Sequence, residues 1–166
     1  MSLPQTTGGY ALGPDDGEAL WFNGALGVLK ATAEQTEGKF TIYELRLRKD
    51  FAAPLHSHKN EDEFFLVLAG EVRLQHGDEI IEGVQGSLAY SPRGIGHSFH
   101  VDSDSARLLL MFGPAGVEGF FREVATPAKS FSLPPADEPV PDRETIVQIM
   151  TRHGQTVLGP PLGPKN

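Results

Sequence analysis

The 166-residue chain is 39% hydrophobic, enough for one domain with a real core and too short for two large ones. Fourteen basic residues against 22 acidic give a formal charge of −8, which removes the counterion-release term behind most nucleic-acid binding and argues against an anionic membrane partner. There is no cysteine, so disulfides, thiolate metal sites and cysteine nucleophiles are excluded.

The opening "MSLPQTTGGYALG" has neither a positive leader nor an apolar signal core, and no later run approaches the roughly 18 apolar residues of a membrane span. The expectation is a cytoplasmic protein with an N-terminal extension over 1–25. From there to about residue 112, short β-prone runs recur between Gly, Pro and Asp punctuation, and helical periodicity is scarce. "TIYELRLR" alternates Tyr43, Leu45 and Leu47 with Glu44, Arg46 and Arg48, as a strand with one wet face does. "FFLVLAGEVRLQHGDEII" predicts a hairpin turning near Ala69-Gly70 and a second turn at His76-Gly77-Asp78; "GSLAYSP", "GHSFHV" and "ARLLLMF" predict further strands. The fold class is therefore all-β, a sandwich or small barrel. Over 113–154 the pattern changes. Val117, Phe120, Phe121 and Val124 fall at helical spacing, a proline-rich connector follows, and Asp142 is placed to cap a helix "RETIVQIMTRH" ending at Gly154. Residues 155–166 are expected to form an extended or flexible tail.

Chemistry concentrates in "PLHSHKNEDEFF". Residues i and i+2 of a strand share a face, so His56 and His58 can both point inward and grip one ion. Glu63 shares parity with Phe65 and Val67, which puts its carboxylate on the buried face, where an unpaired charge is costly and a cation is its natural company. Glu61 and Asp62 are expected to be solvated loop acids, either able to replace Glu63 if the loop is tighter. His97 and His100 compete for a further position, since strand parity sends one inward and the other outward. His76 in a turn and His153 at a helix end read as structural or incidental.

His56-x-His58-x4-Glu63-x6-Gly70 resembles the first cupin motif, and Gly86-x5-Pro92-x-Gly94-x2-His97 resembles the second, departing from the pattern at Asp50 and Val101. The resemblance covers about residues 26–112. It implies a cupin double-stranded β-helix, a jelly-roll-like barrel with one or two C-terminal helices, and the ligand set His56, His58, Glu63 and His97. Nitrogen and oxygen ligands without sulfur suit a divalent transition metal, Fe, Mn, Ni, Co or Zn, with positions left open for chemistry.

The strand parities aim Tyr43, Leu45, Leu47, Phe65, Val67, Leu88, Tyr90 and Phe99 inward, with no Lys or Arg among them. Such a lining disfavours sugar phosphates and suits a flat aromatic or enolic small molecule, with Tyr43, Phe65, Tyr90 and Phe99 as its contacts. The segment "GPAGVEGFFREVATPA" is similar to the one that follows the barrel in quercetinase-like cupins. The resemblance therefore implies a metal-dependent dioxygenase on a flavonol or related enol, with Glu63 as ligand and base. The alternatives are a non-catalytic binding or sensing cupin and a metal-dependent isomerase. Phe64, Leu66 and Leu68 fall on the parity opposite Glu63, an outward apolar stripe that predicts a homodimer unless the C-terminal helices cover it.

Overall fold

In the computed structural model, which describes residues 2–5 and 8–165, twelve strands form two antiparallel sheets that face each other across the core. In chain order the strands are β1 (Glu18–Phe22), β2 (Ala25–Ala31), β3 (Thr41–Arg48), β4 (Leu55–His58), β5 (Asp62–Ala69), β6 (Val72–His76), β7 (Glu79–Gly83), β8 (Leu88–Ser91), β9 (His97–Val101), β10 (Ser105–Gly113), β11 (Thr126–Pro127) and β12 (Gln155–Gly159). Helix α1 (Ala33–Thr36) is a single turn, α2 spans Glu118–Val124 and α3 spans Arg143–Arg152. The larger sheet runs β11-β1-β2-β3-β10-β5-β8 and the smaller β12-β4-β9-β6-β7.

Alternation in the central strands builds the core. Tyr43, Leu45 and Leu47 on β3, Phe65 and Val67 on β5, and Leu108, Leu110 and Phe112 on β10 meet Val72, Leu74, Phe99 and Val101 of the opposing sheet. The other face of β3 is wet at Arg48 but not, as its charged residues suggest, along its whole length. Glu44 is buried against the guanidinium groups of Arg46 and Arg107, and Arg46 and Arg48 donate to the carbonyls of Phe131 and Pro134 in the connector that crosses this face.

Three other expectations are corrected. The turn at Gly70 does not close a hairpin, because β5 pairs with β10 and β8 while β6 pairs with β7 and β9. The chain changes sheets there. Gly70 has φ +85° and packs so tightly that a Cβ would lie 2.4 Å from the Ser105 carbonyl oxygen, so only glycine makes this corner. The N-terminal extension contributes β1, paired along its length with β2. The tail contributes β12, whose Gln155 and Val157 register with His58 and His56 of β4.

The C-terminal helices follow the periodic pattern. Asp142 caps α3 by accepting from the Thr145 amide at 2.9 Å, and Gly154 at φ +76° ends it. Phe120 and Val124 of α2 pack with Ile149 and Met150 of α3 in a second apolar cluster. Among the described residues no helix is long and apolar enough to cross a membrane.

Candidate metal centre

The cluster bridges the two sheets. His56 and His58 come from β4 and His97 from β9, where it pairs across the ladder with His56; Glu63 comes from β5 in the facing sheet. One ligand atom from each of the four lies within 4.8 Å of the others. Glu63 Oε2 is 2.8 Å from His97 Nε2 and 3.3 Å from His58 Nε2, yet all three atoms are buried without an aligned hydrogen bond. Buried polar atoms are nearly always paired, so three orphans converging on one point fit a bound cation.

Surrounding groups set the ring orientations. Nδ1 of His56 donates to the Pro54 carbonyl at 2.8 Å and Nδ1 of His97 to that of Ile95 at 3.0 Å, which leaves each Nε2 as a lone pair facing the cluster. For His58 the corresponding neighbour is a side chain, Glu61, with Oε2 3.4 Å from Nδ1, an ionic contact in which neither atom makes an aligned hydrogen bond. Glu61 is 4% exposed, which corrects the expectation of a solvated acid: the turn after β4 folds it under His58. Asp62 does face outward, paired with Arg93 at 3.0 Å.

Protonation follows from these contacts. Burial, reinforced by the neighbouring His97 and His58, pushes the His56 imidazole down to about 4, so it is neutral and ready to ligate. Burial acts in the same direction on His58, but the carboxylates of Glu61 and Glu63 outweigh it and raise that imidazole to about 9. Burial would raise the Glu63 carboxyl; the His58 and His97 imidazoles overcome this and hold it well below the usual carboxylate range. Glu63 is therefore ionised at neutral pH.

Three of the four cluster residues, His56, His58 and Glu63, line a cavity of about 470 Å³. Of the residues expected to contact a substrate, Tyr43, Phe65 and Phe99 line it. Tyr90 does not. It is 45% exposed on the outer face, stacked on Phe64 at 4.6 Å, and Leu88 points outward beside it. The register Glu63↔Ser91 and Phe65↔Ala89 puts the small residues of β8 inside, because the bulky side chains of β5 already fill the space beside that edge strand. His100 sits on the opposite face from His97, buried and bound to Asp102 at 2.9 Å, as the parity argument requires of one of the two. His76 contacts Ser91 Oγ at 3.1 Å and His153 caps α3 beside Glu123, so neither joins the cluster.

Several lining residues were not legible as such. Phe121 stacks on Tyr43 with centroids 4.0 Å apart, so α2 both packs on the barrel and walls the cavity. Arg143 and Ile146 of α3, Gln155 of β12, and Pro160 also line it. Gly27 makes room for Tyr43, whose hydroxyl lies where a Cβ would be.

Two facing antiparallel sheets with a His/His/Glu/His cluster between them define a small jelly-roll barrel able to hold a metal ion. Residues 44–112 match the cupin domain family, so the chain carries a cupin domain. It is 30% identical over 134 residues to quercetin 2,3-dioxygenase of Bacillus subtilis, an alignment covering 81% of this chain and 40% of that protein. It is 35% identical over 54 residues to an uncharacterized protein of Streptomyces coelicolor, covering 32% of this chain and 51% of that one. The chain thus spans about half or less of these relatives. Among solved structures, a "predicted oxalate decarboxylase" from Thermotoga maritima superposes with a TM-score of 0.55 at 17% identity, over 61% of this chain and 94% of that one, a likeness of fold.

Proposed function

We propose that the protein is a metal-dependent dioxygenase acting on a flavonol or related planar aromatic enol, with a divalent transition metal held by His56, His58, Glu63 and His97. The observation that carries this reading is the convergence of the orphaned Nε2 atoms of His58 and His97 on Glu63 Oε2, with His58 and Glu63 in the wall of an aromatic cavity. The relationship to a quercetin 2,3-dioxygenase supports it.

A metal bound there supplies Lewis acidity, which lowers the pKa of an enol oxygen beside it, and gives electrons a path to dioxygen. The remaining work belongs to the chain. Tyr43, Phe65, Phe99 and Phe121 bury the faces of a flat ring system and keep water from it. Glu63, ionised and within the cluster, is placed to take the proton of an enol that a bound metal would acidify. His56, His58 and His97 fix the position of that carboxylate.

The test is oxygen uptake with quercetin and simple enediols by the iron, manganese, nickel and cobalt forms. Glu63→Gln keeps an oxygen for the metal and loses the ability to accept the proton, so activity should fall far more than metal content. Binding of these compounds by every metal form without oxygen consumption would refute the dioxygenase and favour a binding protein.

The working unit in this proposal is a homodimer. The C-terminal helices pack on each other, on β1 and on β12, while Leu88, Tyr90 and Met111 beside Phe64 and Leu66 remain exposed on the outer face of the larger sheet.

A further inference from the structure

We propose that Gln155 is a substrate-binding residue of this cavity, and that it selects ligands carrying a carbonyl next to the hydroxyl that meets the His/Glu cluster. The inference rests on the functional reading above and adds to it the residue and the chemical group that it recognises.

Gln155 is 3% exposed, lines the cavity, and buries an Nε2 that has no hydrogen-bond partner among the described residues. Its Cα is the ladder partner of His58, so the two side chains leave the small sheet on the same, inward side. The backbone around it is fixed. Lys59 donates to the Gly154 carbonyl at 2.8 Å, and Gly154 packs against the side chain of Asn60.

A buried amide donor with nothing to donate to destabilises the unliganded protein, and Leu or Met would fill the same volume in a mostly apolar cavity. An acceptor that arrives with a ligand removes the penalty. Because ladder partners stand about 5 Å apart, one small ligand can place a hydroxyl oxygen at the cluster and a carbonyl oxygen at the Gln155 amide. An adjacent hydroxyl and ketone on a planar ring satisfy both. A molecule with the hydroxyl alone leaves the amide unpaired.

The test uses the zinc-loaded full-length chain, so that binding is read without turnover, titrated with 3-hydroxyflavone and with a flavan-3-ol that lacks the ketone. Wild type should bind 3-hydroxyflavone the more tightly. Gln155→Leu should weaken that ligand about tenfold, leave the flavan-3-ol unchanged, keep full zinc content and melt no lower than wild type without ligand. Gln155→Met, which keeps the chain length and removes both amide hydrogens, should behave the same way. Equal 3-hydroxyflavone affinity in wild type and both variants would overturn the role of Gln155 and leave the flavonol reading standing. Failure of wild type to bind either compound would overturn both. If neither variant folds, the amide serves the fold and the proposal is wrong.

Discussion

Glu61 offers the sharpest test of how the cluster is organised. His56 and His97 are oriented by hydrogen bonds to backbone carbonyls, which no substitution removes, whereas Nδ1 of His58 faces only the Glu61 carboxylate, 3.4 Å away. Glu61→Ala removes the carboxylate beside that buried nitrogen, frees the ring to turn and takes a negative charge away from the candidate metal site. Outer groups of this kind are worth about 10- to 100-fold in metal affinity, or roughly 1.4–2.7 kcal/mol. The near-complete burial of both residues places Glu61→Ala toward the upper end. Glu61→Gln keeps an acceptor oxygen while losing the charge, so its loss should be less than tenfold. The assay is competition for zinc against a chromophoric chelator, with circular dichroism to show that each variant is folded and His58→Ala as the reference for a lost ligand. Wild-type affinity in Glu61→Ala would refute the claim that this carboxylate holds His58 in place.

A second carboxylate tests the fold. Glu118 is buried and accepts from Thr41 Oγ1 and from the amides of Ala33 and Gly116, and these bonds outweigh burial to hold its carboxyl below the ordinary 4.5. A depressed folded-state pKa stabilises above the unfolded value and is lost as pH falls, so Glu118→Gln should cost about 1–3 kcal/mol at pH 7 in urea unfolding, a difference that shrinks below pH 4.5. A difference independent of pH would contradict this. For the outer face, light scattering should return a dimer for wild type and a monomer for Leu88→Asp combined with Tyr90→Glu; a wild-type monomer at all concentrations would remove the homodimer.

Where one face of a strand is buried and the other is not, parity reads burial from sequence, and Glu63 was legible for that reason, as His56 and His58 were from their i, i+2 spacing. Strand β9 is buried on both faces, so His97 was separated from His100 only with the help of the cupin motif spacing. The method failed on β8, where "LAYS" is apolar enough to satisfy either face. The choice there was made by register against β5, a tertiary fact, and Tyr90 went outward. Glu61 was misread because a carboxylate in a polar loop looks solvated until the turn is known to tuck it under His58. The tail was misread because "QTVLG" lacks the flanking punctuation of a strand. Its order comes from pairing with β4 once α3 has brought the chain back to the barrel.

The same distinction separates reactivity from selectivity in this molecule. All four cluster residues lie within 44–112, the part that matches the cupin family, so the capacity to hold a metal comes with the barrel. Of the cavity residues outside that span, Phe121 walls the site from α2, Arg143 and Ile146 reach it from α3, and Gln155 and Pro160 come from the last strand and the chain beyond it. Arg143 is the one lysine or arginine in the described lining of this cavity, and it comes from α3, where the parities of the barrel strands could not show it. Relatives that share the barrel can therefore share the metal chemistry while differing in what reaches it. On this argument, exchanging residues 140–161 between cupins would change which compound binds and leave the ligand set intact.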